Sequence, residues 1–149
     1  NGQPFTYNIQ NGYAVINRTW KKNDKVEVML PMEVRTVTAN ENVKDDIGKV
    51  AIQRGPLMYC AEWADNNGKT SNFILPAGTV FNNEFNANLL NGVMVLKAEV
   101  PAVVIEGNNI STKKQSFTAI PYYSWANRGK GEMNVWFPRD VKDVEILTK

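Results

Sequence analysis

The run Tyr122-Tyr123-Ser124-Trp125-Ala126-Asn127-Arg128 carries the residue types best suited to chemistry in this chain. Aromatic faces stack on the C–H faces of sugars, and Asn127 and Arg128 supply hydrogen bonds to hydroxyls. Trp136 joins them, because it lies on the opposite side of its alternating strand from Met133, Val135 and Phe137. The competing reading is packing. A large aromatic buries about 150–250 Å² and is what a sandwich core or a domain seam uses. Packing, in the core or against a neighbouring domain, is the favoured reading of Tyr122, Tyr123, Trp125, Asn127, Arg128 and Trp136. Direct contact with a carbohydrate stays open as the alternative.

The remaining reactive groups are sparse. With no histidine and one cysteine, the chain has no imidazole for a Ser-His-Asp or Cys-His pair and too few soft ligands for a structural zinc. Cys60 sits beside Tyr59 in an apolar run, which suits a small packed hydrophobe better than a nucleophile. Asp45 and Asp46, with Glu41, point to alternating sides of a polar loop and read as solvated. Asp65-Asn66-Asn67-Gly68 resembles the opening of a calcium loop, but Pro76 stands where the closing Glu of a loop of about 12 residues belongs. A turn is the expected structure there. No catalytic residue and no metal ligand is assigned.

Positioning falls to strands. Short alternating or β-branched runs are separated by Gly, Pro and Asn turns, and no window keeps a helical period, so the chain reads as all-β, an antiparallel sandwich of jelly-roll type. Asn11-Gly12 and Asn91-Gly92 predict two-residue hairpin turns. Strands are expected over 13–20, 25–30, 33–38, 49–62, 73–75, 93–105, 116–120 and 132–137, with a last one over 144–147. Residues 39–46, 82–86 and 107–115 are expected to be turns or loops. Within 49–62, Arg54-Gly55-Pro56 forces a bend, a bulge or a stop.

At 149 residues the chain buries roughly 68–70% of its unfolded surface if compact, so it needs no staples. A net charge of +2 with mixed signs gives no footprint for nucleic acid or an anionic membrane. No run of about 18 apolar residues exists to span a bilayer as a helix. The opening residues lack the basic and apolar regions of a signal peptide. A start on a hairpin turn is how an excised piece begins, and a half-sandwich is expected to associate or exchange strands between copies.

Three stretches, 12–35, 50–60 and 118–133, carry a resemblance. From Gly12-Tyr-Ala-Val-Ile-Asn-Arg-Thr-Trp20 through Val50-Ala-Ile-Gln-Arg-Gly-Pro56 to Thr118-Ala-Ile-Pro-Tyr-Tyr-Ser-Trp125, the chain is similar to the C-terminal region of glycoside hydrolase family 127, the β-L-arabinofuranosidases and their relatives. The resemblance implies an (α/α)6 catalytic barrel elsewhere in a bacterial parent, with a zinc-bound Cys nucleophile and a Glu acid/base. Cys60 does not match that nucleophile motif. It also implies residues 1–62 as the last strands of a first sandwich and 63–149 as a second sandwich. The function implied is that of a non-catalytic accessory region, with a carbohydrate-binding module as the alternative. Its partners would be its own catalytic domain, then a second copy or a glycan, with no nucleic acid and no membrane. The compartment stays open.

Overall fold

The computed structural model describes residues 1–145. The expected last strand falls mostly outside them, and Val144 and Glu145 form none. All strand pairing is antiparallel, and the only helices among the described residues are single 3₁₀ turns. The all-β reading is correct.

The chain divides into two compact units, Asn1–Pro31 and Met32–Lys149. In the first, β1 (Asn8–Gln10) pairs with β2 (Tyr13–Val15) across Asn11-Gly12. Both turn residues take positive φ, 50° and 82°, the geometry of a two-residue type I′ hairpin. Asp24 closes the next turn by accepting from the Lys21 N–H at 2.8 Å. Of the strand expected over 13–20 only Tyr13–Val15 forms, and the one expected over 25–30 does not form. The Val26, Val28, Leu30 alternation is present, but alternation supplies only a face. The hydrogen bonds of a strand come from a neighbour, and these side chains stay exposed.

The second unit holds β3 (Val34–Val37), β4 (Lys49–Arg54), β5 (Leu57–Glu62), β6 (Asn82–Asn86), β7 (Val93–Glu106), β8 (Asn109–Pro121), β9 (Met133–Asn134) and β10 (Phe137–Pro138). They form one sheet in the order β10-β4-β5-β8-β7-β6, with β3 beside β4 and β9 beside β5. The sequence set the domain boundary after Glu62. In the structure β5 is laddered to β8 at Tyr59–Pro121 and Cys60–Ile120. The units accordingly part between Pro31 and Met32, not within the polar stretch after Glu62.

Gly55 and Pro56 do more than bend the chain. Arg54 pairs with Leu57, so the strand reverses in a two-residue turn. Gly55 supplies the positive φ, 54°, and a Cβ there would strike the Met32 sulfur. Three other expectations change. Asn91-Gly92 takes positive φ as expected, but Leu90 does too, and the connection runs from Ala87 to Gly92. Residues 82–86 form β6, paired with 93–97. Residues 109–115 extend β8. Each of these segments carries a single apolar residue, Phe85 and Ile110, so its strand character lies in backbone pairing and leaves no apolar period to read.

The main core lies on one face of this sheet. Val50 and Ile52 from β4, Tyr59 and Ala61 from β5, Leu96, Ala98, Val100 and Ala102 from β7 and Phe117 and Ala119 from β8 meet Phe73, Leu75 and Phe137. Alternation places Cys60, Val93, Val95 and Ile120 in a smaller cluster on the opposite side. Residues 73–75, expected as a strand, make an isolated bridge from Phe73 to Ala102.

Candidate functional site: a charge-clamped aromatic loop

β8 ends at Pro121, and a 3₁₀ turn over Tyr122–Ser124 reverses the chain. The Ser124 hydroxyl donates to the Pro121 carbonyl at 2.7 Å and pins that turn. Tyr122, Tyr123 and Trp125 are left 43%, 69% and 38% exposed. The Tyr122 and Trp125 rings lie 6.0 Å apart at 31°, a tilted pair within aromatic contact distance. Asn127 is turned back on the loop, its amide donating to the Ser124 and Trp125 carbonyls at 3.0 and 3.1 Å.

Arg128 is folded inward. Its guanidinium donates to both Asp65 oxygens at 2.6 Å. Its Nε reaches Glu62 Oε2 at 3.1 Å, and Nη2 contacts the same oxygen. The Glu62 side chain is only 3% exposed, and its other oxygen accepts from the Ala126 N–H at 2.8 Å. One buried carboxylate thus holds the loop at two points. Hydrogen bonds to Asp65, then to Glu62, hold the guanidinium still more firmly protonated, against the opposing effect of burial.

A second carboxylate fixes the far side of the loop. Glu132 Oε2 accepts from the Thr70 and Ser71 backbone N–H groups at 2.9 and 3.1 Å and from the Ser71 hydroxyl at 2.8 Å. The Glu132 carbonyl accepts from the Trp63 N–H at 2.9 Å. Gly131 lies against the Trp63 indole so closely that a Cβ would overlap the ring. Asn66, in the stretch that resembled a calcium loop, is buried and ties Glu62 to Thr118 through three hydrogen bonds.

Burial opposes ionisation of Glu132, but its three donors, with Lys69 adding, hold the carboxyl below the ordinary glutamate value of 4.5. A depressed folded-state value stabilises the fold above the unfolded value, and that contribution disappears as pH falls through the folded one. Thermal midpoints measured from pH 7 to pH 3 are expected to fall more steeply for the wild-type chain than for Glu132→Gln. Parallel curves would rule this carboxylate out as a source of acid sensitivity.

Of the residues singled out by sequence, the structure brings Tyr122, Tyr123, Trp125, Asn127 and Arg128 into one loop but divides their work. The aromatics face outward, while Asn127 and Arg128 hold the loop's shape. Trp136 belongs to a different surface, a shallow cavity of about 170 Å³ shared with Lys49, Ser71, Asn134, Pro138, Asp143 and Glu145. Glu62 and Glu132 escaped the sequence reading, which weighed Asp65 and Asn66 only as a calcium-loop opening or a turn. The only local hint was a carboxylate, Glu62, closing an otherwise apolar strand.

Cys60 is wholly buried, and its thiol is pushed up to about 12, first by burial and then by the Glu62 charge. It therefore carries almost no thiolate at neutral pH. Iodoacetamide is expected to leave Cys60 unmodified in the folded chain and to label it once the chain is unfolded. Rapid labelling of the native protein would overturn that. Among the described residues no group of three or more Cys, Asp or Glu side chains is placed to hold a metal ion. Glu62 and Asp65, the acids nearest the thiol, are occupied by Arg128, so these residues do not fit a zinc site.

Comparison with known proteins places this geometry. The family model for the glycoside hydrolase family 127 C-terminal domain matches residues 34–138. The chain belongs to glycoside hydrolase family 127. The model for the family's β-L-arabinofuranosidase middle domain matches residues 1–32, so the two models meet where the two compact units part. A non-reducing end β-L-arabinofuranosidase of Bifidobacterium longum subsp. longum is 35% identical over 91% of this family 127 chain. A solved family 127 β-arabinofuranosidase superposes on 97% of the chain with a TM-score of 0.91 and 40% identity. A family 127 β-L-arabinofuranosidase from Geobacillus stearothermophilus T6 covers 72% of the chain at TM-score 0.66 and 39% identity. The chain spans 23%, 23% and 18% of those three proteins, respectively.

Proposed function

We propose that this chain is a non-catalytic sandwich region of a longer family 127 hydrolase, and that its 122–128 loop is laid against that enzyme's own catalytic barrel. The observation that carries the reading is the clamp of Arg128 on Glu62 and Asp65. Glycoside hydrolysis uses two carboxyl groups with separate duties, one protonated to serve the leaving oxygen and one ionised. Here the two acids beside the aromatic surface share one guanidinium. The site holds a shape and offers no acid/base pair. Residues 1–32 fit the end of a preceding sandwich, whose missing strands would supply partners for Val26, Val28 and Leu30.

Its relatives act on β-L-arabinofuranosides, so the complete protein is assigned the same substrate class, trimming arabinofuranoside-containing glycans. The zinc expected from the family resemblance belongs with that absent catalytic domain. An aryl arabinofuranoside assay tests the division of labour. The complete protein is expected to release the aryl group and the 149-residue chain to release none. Turnover by the short chain would overturn the reading.

One observation favours a second reading, glycan contact by the tilted Tyr122–Trp125 pair. Trp125→Ala in the complete protein separates the two. A seam residue lowers the thermal midpoint and leaves KM for an oligosaccharide unchanged. A glycan contact raises KM and leaves the midpoint in place.

A further inference from the structure

β7 and β8 pair without interruption from Leu96–Ala119 to Glu106–Asn109. At their base they have neighbours, with β6 along 93–97 and β5 at 120–121. The last outside support on β7 is the Val103 N–H donating to the Asn72 carbonyl at 2.8 Å. Beyond it, the ribbon through Gly107-Asn108 has no third strand among the described residues. A two-stranded ribbon alone is marginal in water and needs something to lie on.

This tip is two-faced. Ile105 and Ile110 are directly opposite each other, 54% and 57% exposed, and so form one apolar knob on one side. Alternation puts Glu106 and Lys113 on the other side, where they form an ion pair. A polar face turned to water and an apolar face with nothing on it describe an arm. We propose that the tip of the β7–β8 hairpin docks its Ile105–Ile110 face onto the part of the same polypeptide that precedes Asn1. The proposal rests on the reading of this chain as one region of a longer hydrolase.

Size selects the occupant. A stable interface between free molecules uses roughly 800 Å² per partner, far more than two half-exposed isoleucines offer. A contact that small holds when the partner is tethered, because a linker keeps the effective concentration near the millimolar range. The relatives supply that tether, since this chain spans about a quarter of their length.

Photo-crosslinking in the complete protein tests the arm. p-Benzoylphenylalanine is placed at position 110 and, in a second variant, at position 123. From position 110 the expected product is a link within one polypeptide to a residue preceding Asn1, with a yield unchanged by tenfold dilution. A link to a second molecule that fades on dilution, or no link, overturns the proposal. A link from 123 with none from 110 removes the arm and spares the accessory reading; no intramolecular link from either removes both. Hydrogen exchange supplies an independent readout. Amides 104–111 are expected to exchange about tenfold or more faster in Ile110→Asp than in the wild-type complete protein. Equal rates would sink the arm.

Discussion

Arg128→Ala is expected to destabilise the second unit by about 3–5 kcal/mol, the usual effect of leaving one partner of a buried ion pair behind. Glu62 is the reason. Its side chain is 3% exposed and loses the cation that compensates its charge, while Asp65, nearer the surface, regains water more readily. The loss is a large fraction of the roughly 5–15 kcal/mol that stabilises an ordinary domain. Urea denaturation is the measurement. A companion variant isolates the cause. Arg128→Ala with Glu62→Gln replaces the stranded charge by a neutral amide and is expected to recover part of the loss. If the double variant is no more stable than Arg128→Ala, stranded charge is not the mechanism, and the loop's lost packing is. The same variants bear on function, because Glu62 also accepts from Ala126 in the middle of the aromatic loop. With the Arg128 hold gone, the loop keeps only the Ala126 N–H bond to position 62, and Tyr122 and Trp125 present a less firmly fixed surface.

Phe117→Ala is expected to cost a similar amount, about 3–5 kcal/mol, through a cavity in place of a lost charge partner. Phe117 is fully buried on β8 opposite Ala98. Phe73 and Phe137 meet it edge-on with centroids at 5.1 and 5.3 Å, and Phe81 stands at 6.3 Å. These three rings come from separate segments, so removing the central one loosens β8, β10 and the 73–75 bridge together. The urea midpoint should drop with the slope unchanged, the sign of lost stability without a changed denatured state. A loss below about 1 kcal/mol would mean the rings close over the gap, contrary to the close packing expected of such a core. Because Phe117 and Arg128 share no partner, their effects should add within about 0.5 kcal/mol.

What was legible in the sequence was local. The Asn11-Gly12 turn, the strands 34–37 and 49–54, and the buried run from Val93 to Val103 were readable because one residue's preference, or one face's alternation, decides them. Composition alone excluded imidazole chemistry, and the family resemblance was carried by short stretches intact in the chain. The aromatic loop was found, but its mechanics were not.

Tertiary structure alone decided the rest, for a common reason. Arg128 meets Glu62 and Asp65 across 66 and 63 positions of chain, and no local pattern announces a partner that far away. β6 and the outer half of β8 each carry a lone apolar residue, Phe85 and Ile110, with no period around it, so their strand identity lies in hydrogen bonds to β7. The stretch 25–30 shows the converse, a clean apolar alternation that stays unpaired. Side-chain sequence states which face a segment would bury. Only a neighbouring backbone turns that preference into a strand, and only the assembled sheet brings one arginine within reach of two acids.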